Sequence, residues 1–400
     1  MKISRRRFLK DAASTVGSAL ILPPMFFQET GVDDFIRTQM EKSHVAGLGA
    51  CIIKNGDIVW SNGYGWADIE KKIPYDHQKT VQNIGSVSKT FTATAVMQLW
   101  ERSKFKLDDD VNVYLPFKVR NPKYPDVPIT FRQLLTHRSS IKDGPAYGQS
   151  YAWGDPTVSL ETWIREYFTP GAKYYDEKGN FHEWKPGQEG KLPSQPRAYT
   201  NVGFGLLGYL VERIAQLPFN EYCQANIFAP LDMKQTSWYL KNLDLTRHAL
   251  PYTYMPPGKP RRVLLEGGMT LKELEEGGFY PNCLYSFPNY PDGLIRTSVF
   301  QLARFLLAYI NKGTYKGARI LKQTTVETML SRDHFGRGLC WFERPQTYGD
   351  SMWGHGGGDP GISTTMQFLE RSGVGVIVFA NTSTGLDAIQ NRLFQEAIGL

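Results

Sequence analysis

Short apolar runs with the length of β-strands occur near both ends of this 400-residue chain, and they constrain its fold more than any other feature. Near the N-terminus, residues 47–54 and 57–65 flank Asn55-Gly56, and Asn-Gly between two apolar runs predicts a β-hairpin. The run VGVIVFA at 374–380 is continuously apolar, which is typical of a central strand covered on both faces. Towards the C-terminus, the sequence predicts strands at 337–343, 363–369 and 374–380.

Between the two ends, apolar residues recur at the spacing of α-helices. The predicted helices cover residues 31–43, 86–101, 200–216 and 387–400, with two more capped by Thr130 and Ser298. We therefore expect an α/β fold of the α+β kind. An antiparallel sheet is built from the N- and C-terminal parts of the chain and flanked by helices, and a mainly helical lobe is inserted. In this interpretation residues 28–400 form a single two-lobed domain.

Two long stretches, residues 142–198 and 250–292, are predicted to be irregular. Both are rich in aromatic residues and proline, and a loop of such length inside a compact domain is usually functional, for example as a wall over a site. Aromatic side chains in such loops more often belong to the local core than to a ligand contact. In the first stretch these are Tyr147, Trp153, Trp163, Tyr174 and Tyr175.

Charge and composition exclude several classes of protein. The formal charge is +7, but residues 1–27 contribute +4 and the remaining chain only +3, so nothing indicates a nucleic-acid partner. No run of 18 apolar residues predicts a transmembrane span in the mature chain. Four scattered cysteines do not make a disulfide scaffold, and their pairing stays open, although Cys51 in its strand should be a buried thiol. No C-x-x-C or H-x-H spacing predicts a metal site, and no cofactor is expected.

The N-terminus resembles a twin-arginine export signal. Residues 4–10 read SRRRFLK, and an apolar stretch that ends at Pro23-Pro24 follows them. We expect residues 1–27 to be this signal and the protein to be exported to the periplasm or the exterior of a bacterial cell. The cleavage point is not evident, so retention of the leader as an anchor is an alternative.

Ser86 and Lys89 form the first candidate for chemistry. The pattern S-x-x-K occurs three times, but only Ser86–Lys89 begins a predicted amphipathic helix, where residues three apart lie on one face. A serine hydroxyl needs a base to become a nucleophile, and a lysine can serve only when neutral, a state that burial favours. Ser103–Lys106 lies at a polar helix end and Ser139–Lys142 in a loop, so both lack this setting.

Two further motifs follow in the chain. Tyr199-Thr200-Asn201 precedes a predicted helix, where the tyrosine could relay a proton and Asn201 could bond a substrate carbonyl. His355-Gly356-Gly357-Gly358 is predicted to precede a strand, and its glycines would let the backbone approach a substrate closely. A free N–H at Gly358 could pair with that of Ser86 as an oxyanion hole.

In this order and context, S-x-x-K, Y-x-N and H-x-G resemble the serine hydrolase family of class C β-lactamases. That family also includes D-alanyl-D-alanine carboxypeptidases, D-aminopeptidases and β-lactamase-like esterases. Further segments that resemble this family extend over most of the chain: NIGSVSKTFTA (83–93), ITFRQLLTHRSSI (129–141), AYTNVGFGLLG (198–208), GLIRTSVFQLARFL (293–306) and GHGGGDPG (354–361). The resemblance implies a β-lactamase/transpeptidase-like fold.

The resemblance also implies roles for individual residues. Ser86 would form an acyl-enzyme, with Lys89 and Tyr199 sharing general-base and general-acid work. Asn201 would orient the substrate, and backbone N–H groups of Ser86 and Gly358 would form the oxyanion hole. The substrate-binding wall opposite would consist of His355, Gly356 and Gly357.

The chain departs from dedicated lactamases at His355, where those enzymes carry the lysine of K-T-G. A histidine near pH 7 offers only part of a positive charge to a substrate carboxylate, which puts efficient penicillin hydrolysis in doubt. We therefore expect an exported serine hydrolase acting on D-amino-acid peptides or β-lactam-like amides. An esterase or acyl transferase for small esters, and a penicillin-binding protein without turnover, are the alternatives. The partner is a small-molecule or peptide substrate, and the oligomeric state stays open.

Overall fold

The computed structural model describes residues 31–188, 198–259, 261–271, 277–332, 337–344 and 348–399. The predicted export signal at residues 1–27 lies outside these residues and stays a prediction. Within the described part of the chain, no helix has the length and apolar character needed to cross a membrane.

Helices and short strands fill the middle of the chain, and long strands lie at its ends. The helices are α1 (Gly31–Ser43), α2 (Ser88–Glu101), α3 (Phe131–Leu135), α4 (Pro145–Gln149), α5 (Leu160–Phe168), α6 (Val202–Ala215), α7 (Phe219–Cys223), α8 (Val299–Ile310), α9 (Gln323–Met329) and α10 (Asp387–Ile398). The strands are β1 (Gly47–Lys54), β2 (Asp57–Asp68), β3 (Ile73–Pro74), β4 (Gln82–Asn83), β5 (Ala152–Trp153), β6 (Tyr252–Tyr254), β7 (Arg262–Leu265), β8 (Gly268–Leu271), β9 (Phe279–Pro281), β10 (Tyr285–Ser286), β11 (Arg296–Thr297), β12 (Thr314–Tyr315), β13 (Ala318–Arg319), β14 (Phe342–Arg344), β15 (Met352–Asp359), β16 (Ile362–Leu369) and β17 (Gly375–Ala380).

The main sheet joins the two ends of the chain, as predicted. Its strand order is β14-β15-β16-β17-β1-β2-β3, and every neighbouring pair is antiparallel. The closing contact pairs β1 with β17, so that Leu48 lies opposite Ala380 and Cys51 opposite Ile377. The other described strands form short two-stranded pairs outside this sheet.

The central strand β1 separates two hydrophobic cores, because successive side chains of a strand point to opposite faces. Leu48, Ala50 and Ile52 pack with residues of α1 and α10 on one face. Cys51 and Ile53 lie in the core on the other face, where α8 crosses the sheet. Because both faces of the central strands are covered, their sequences are continuously apolar. Cys51 is buried, as predicted.

Helix α2 runs through the second core and carries the S-x-x-K motif. Every residue from Ser88 to Leu99 is buried, including three threonines whose hydroxyls donate to backbone carbonyls. The helix packs mainly against α6, and both belong to the inserted helical lobe. The predicted caps are present, since Thr130 forms a capping box before α3 and the hydroxyl of Ser298 accepts from Gln301 N at the start of α8.

Several local predictions were wrong. The stretch 250–292, predicted to be irregular, contains the short strands β6 to β10. In the segment predicted as a strand at 337–343, Gly338 N donates to Trp341 O within a turn, and only Phe342–Arg344 joins the sheet. Strand β15 was missed, since its glycines weaken the strand pattern while its two neighbours in the sheet supply the hydrogen bonds. Helix α5 lies inside the first irregular stretch and is capped by Ser159.

Most of the aromatic residues singled out in the first irregular stretch belong to the local core, as predicted. Trp163 is fully buried, and Tyr174 and Tyr175 pack against the core. Trp153 is 57% exposed. Tyr147 donates to Asp292, which contacts the S-x-x-K lysine, as described below.

Candidate active site

A tight turn before α2 presents Ser86. The turn Gly85–Val87 has 3-10 geometry, and Gly85 adopts a φ of +52°, a conformation that favours glycine. Gly85 N donates to Asn83 Oδ1 at 2.8 Å, which anchors the turn to β4. Lys89 lies on the first turn of α2, and its Nζ donates to Ser86 Oγ at 3.0 Å. The spacing of the motif therefore brings the two side chains into contact, as expected.

Lys89 is completely buried, and its ammonium group is surrounded by acceptors. Besides Ser86 Oγ, Nζ donates to Asn201 Oδ1 at 2.7 Å and to the backbone oxygen of Asp292 at 2.7 Å. It also forms an ion pair with Asp292 Oδ2 at 3.4 Å. Burial lowers the pKa of Lys89, but Tyr199 and Asp292 raise it by more, so the pKa lies above its ordinary value. Burial alone favours a neutral lysine, as expected, but these partners outweigh it, so Lys89 is an ammonium in the resting site.

Tyr199 meets both residues from the start of α6. Its hydroxyl is hydrogen-bonded to Ser86 and to Lys89. Its ring lies 4.9 Å from Lys89 Nζ and stacks on the ring of His137 at 4.3 Å. Burial raises the pKa of Tyr199 above its ordinary value, although the charge of Lys89 opposes this rise. A proton can therefore pass between three atoms that are all in hydrogen-bond contact.

Asn201 is held in one orientation by Asp143. The Asn201 side-chain Nδ2 donates to Asp143 Oδ2 at 2.8 Å, while its Oδ1 accepts from Lys89. Asp143 also accepts from the backbone N of Asn201 and Val202, and from Thr200 Oγ1. A carboxylate from a distant loop therefore caps the N-terminus of α6, where anions are favoured.

Strand β15 forms the opposite side of the site with its backbone. A side chain at Gly85 would lie 2.8 Å from Gly358 N. A side chain at Gly357 would overlap Ile84 O and lie 3.2 Å from Ser86 N. Glycine at these positions is what lets the serine turn and the strand touch, and it brings the Ser86 and Gly358 backbones into the same small region.

His355 and Gly356 precede the strand β16, as predicted, but they also lie within a strand of their own, β15, which the sequence did not indicate. His355 pairs with Met366 across the ladder to β16, and the ring is buried against Phe342 with 5.0 Å between ring centres. His355 Nδ1 lies 2.6 Å from Gly356 O, a contact that orients the ring. Gly356 is exposed on the strand.

Sequence reasoning missed a set of polar residues that adjoin Lys89. Asp292 Oδ2 accepts from Tyr147 OH at 2.9 Å, and the Tyr147 ring packs edge-on against that of Tyr151 with 6.1 Å between ring centres. Tyr151 OH donates to Asp359 Oδ1 at 2.8 Å, and Asn83 Nδ2 donates to Asp359 Oδ2 at 3.2 Å. Tyr147, Tyr151 and Asp292 come from the two stretches predicted to be irregular. Their length and aromatic content were the only available signal, since no short motif contains these residues.

A metal centre finds no support in the described part of the chain. There, no group of three or more His, Cys, Asp or Glu side chains is placed to hold a metal ion. The chemistry available at the site is that of a serine, a lysine, a tyrosine and backbone N–H groups.

Comparisons with known proteins agree with this geometry. The Beta-lactamase family model matches residues 32–398. Protein flp of Staphylococcus aureus is 25% identical over 226 residues, which cover 55% of this chain and 40% of that protein, so the chain spans less than half of that relative.

Two solved structures share the fold. The octameric penicillin-binding protein homologue from Pyrococcus abyssi superposes with a TM-score of 0.72 at 25% identity, over 92% of this chain and 77% of that one. The D-amino acid amidase from Ochrobactrum anthropi superposes with a TM-score of 0.70 at 20% identity, over 92% and 99%. The family match over nearly the whole described chain shows that this protein belongs to the β-lactamase family.

Proposed function

We propose that this protein hydrolyses amides through an acyl-enzyme on Ser86, with D-amino-acid peptides or β-lactam-like amides as substrates. The observation that carries the proposal is the direct contact of Ser86 Oγ with Lys89 Nζ at 3.0 Å, with Tyr199 hydrogen-bonded to both. A serine held between two proton carriers in a buried site is arranged for nucleophilic attack, which a simple binding protein does not need.

The proposed reaction proceeds in two halves. Ser86 Oγ attacks the substrate carbonyl carbon, a C–O bond forms, and the serine proton passes to the Lys89–Tyr199 pair. The pair then protonates the leaving nitrogen as the C–N bond breaks, which leaves an acyl-serine. Water attacks this ester, gives a proton to the same pair and releases the acid, while Ser86 recovers its proton. Since Lys89 is held as an ammonium at rest, the pair must lose one proton before the first step.

The remaining predicted residues would bind the substrate. The backbone N–H groups of Ser86 and Gly358 would stabilise the oxyanion, and the glycine contacts between the turn and β15 support this role. Asn201, fixed between a donor and an acceptor, would present its amide to the substrate. His355, Gly356 and Gly357 would line the cleft along β15.

The charges around Lys89 favour a second candidate, hydrolysis or acyl transfer of small esters. The carboxylates of Asp143, Asp292 and Asp359 all interact electrostatically with Lys89. Burial raises the pKa of Asp359 to about 7, so it is partly charged at neutral pH. Such a site repels a substrate carboxylate of the kind that penicillins carry, whereas uncharged esters are unaffected.

Intact-mass spectrometry can test the proposed function. The purified protein would be mixed separately with benzylpenicillin and with p-nitrophenyl acetate, and its mass and the free p-nitrophenol followed in time. We expect an acyl adduct or turnover with at least one compound in the wild type and none in Ser86→Ala. Ser103→Ala, which alters the exposed serine of another S-x-x-K pattern, is the matched control and should behave as wild type.

The outcomes separate the candidates. A long-lived penicillin adduct indicates a penicillin-recognising enzyme or a protein without turnover, and rapid penicillin loss indicates a lactamase. Release of p-nitrophenol without penicillin acylation favours the esterase. Full activity in Ser86→Ala contradicts the mechanism.

We also propose that residues 1–27 direct export through the twin-arginine pathway, on the basis of the SRRRFLK sequence. Replacement of Arg5 and Arg6 by lysine should leave the protein in the cytoplasm of the producing bacterium, as fractionation would show. Unchanged export of this variant would contradict the proposal.

A further inference from the structure

Asp292 contacts Lys89 twice, and the reaction described above assigns it no role. Both its backbone oxygen, at 2.7 Å, and its carboxylate, at 3.4 Å, lie against Lys89 Nζ. The side chains of both residues are at most 3% exposed, so water does not screen the pair. A buried charge so close to a lysine that contacts the nucleophile affects every proton transfer at the site.

The carboxylate of Asp292 is held in place from two sides. Asn289 Nδ2 donates to Oδ1 at 3.0 Å and also to the backbone oxygen of Asn201 at 2.9 Å. Tyr147 OH donates to Oδ2 at 2.9 Å. The neighbouring Pro291 O accepts from Thr92 Oγ1, which fixes the loop to α2. The position of Asp292 is thus built by several elements rather than by one contact.

We propose that Asp292 is a positioning residue for the reaction at Ser86. Its carboxylate holds Lys89 as an ammonium in contact with Ser86 Oγ and thereby sets the pH above which the site can accept the serine proton. This inference rests on the proposed function, because it concerns the proton acceptor of that reaction.

Other titratable groups also face this pair. Tyr199 and Asp143 interact electrostatically with Lys89, and Tyr147 donates to Asp292 directly. More distant members of the same surroundings are Tyr151, Asp359 and His137. Among the described residues, Asp292 forms an ion pair with Lys89 at 3.4 Å, so its charge should have the largest effect.

The sign of the effect follows from the charge. A nearby carboxylate raises the pKa of both Lys89 and Tyr199, which means that a proton leaves the pair only at higher pH. Removing the negative charge should let the proton leave at lower pH. The acid limb of kcat/KM, which reports the free enzyme, should move in the same direction.

The test compares kcat/KM against pH for p-nitrophenyl acetate, or for another chromogenic substrate that the protein turns over. In Asp292→Asn, which keeps the shape, the acid limb should move to lower pH by about one unit or more, the size expected for an opposite charge at this range. Asp359→Asn removes a carboxylate of the same hydrogen-bonded set and should move the limb by less than half as much.

A second variant keeps the test decisive if Asp292→Asn does not fold, which circular dichroism would show. Tyr147→Phe removes a donor that stabilises the charged form of Asp292, whose pKa burial already raises, so the acid limb should move to lower pH, by less than in Asp292→Asn. An unchanged limb in the folded variants, or an equal shift in Asp359→Asn, would overturn the proposal. Turnover in Ser86→Ala would instead contradict the proposed function, so the two failures can be told apart.

Discussion

Replacing Asp143 by asparagine should separate the fold's stability from the geometry of its site. Asp143 Oδ1 accepts from Asn201 N at 2.8 Å and Val202 N at 2.9 Å, while Oδ2 accepts from Asn201 Nδ2 at 2.8 Å. An asparagine keeps one oxygen and replaces the other by an NH₂ group. If the oxygen stays at the backbone donors, that NH₂ faces the NH₂ of Asn201.

Asn201 cannot relieve this conflict by turning its amide over. Its Oδ1 accepts from the ammonium of Lys89 at 2.7 Å, and an inverted amide would place two donors against each other there. Asp143→Asn therefore loses one hydrogen bond to a charged group, about 1.5–3 kcal/mol, and the anion at the N-terminus of α6, about 0.3–2 kcal/mol. The free energy of unfolding should fall by about 2–5 kcal/mol.

Urea unfolding and kcat/KM on the same preparations would measure both effects. Asp155→Asn is the matched control, because Asp155 accepts from Leu240 N at 2.6 Å and Lys241 N at 3.1 Å, remote from Lys89. Both variants should be destabilised, but only Asp143→Asn should lose kcat/KM, by about tenfold or more, because Asn201 leaves Lys89. A loss of stability below about 1 kcal/mol with full activity, or an equal activity loss in the control, would refute the reasoning.

Two further predictions concern a backbone contact and the pH dependence of stability. Gly85→Ala places a side chain at positive φ and 2.8 Å from Gly358 N. Turnover should therefore fall at least tenfold in steady-state kinetics, while circular dichroism should show that the protein still folds. Wild-type kinetics in this variant would contradict the proposed contact. His248 is buried, and this burial is the main reason why its pKa falls from 6.5 to about 3. The folded state therefore favours the neutral form of His248. Because the unfolded chain takes up the proton first, this stability is present above pH 6.5 and is lost as the pH falls towards 3, by about 2 kcal/mol between pH 8 and pH 5. Urea midpoints of the wild type and His248→Asn across this range should converge, and parallel curves would show that His248 has no such effect.

Short-range patterns in the sequence were enough to predict most of the architecture. The Asn55-Gly56 turn, the caps at Thr130 and Ser298 and the apolar run at 374–380 all act within a few residues or one strand. The joining of the two ends of the chain in one sheet followed from the position of predicted strands at both ends with helices between them. Helix α5 and strand β15 were missed, because a helix inside an aromatic loop and a strand rich in glycine depend on partners far away in the chain.

The candidate site divides in the same way. Ser86 and Lys89 contact each other because three residues along a helix bring side chains onto one face, and this is a local property. The position of Tyr199 beside them required the family resemblance, since nothing local relates residues 110 positions apart. The sequence indicated the effect of burial on Lys89, but it did not reveal Asp292, one of the partners that keep this lysine charged.

By itself, the sequence determined the local elements, the Ser86–Lys89 contact and, through the order of its motifs, the family. Only the tertiary structure decided which carboxylates surround Lys89 and how Asn201 is oriented, because Asp292 lies 203 residues from Lys89 and Asp143 lies 58 residues from Asn201. Such contacts depend on how helices and loops pack in three dimensions, and electrostatic interactions depend on those distances rather than on order along the chain.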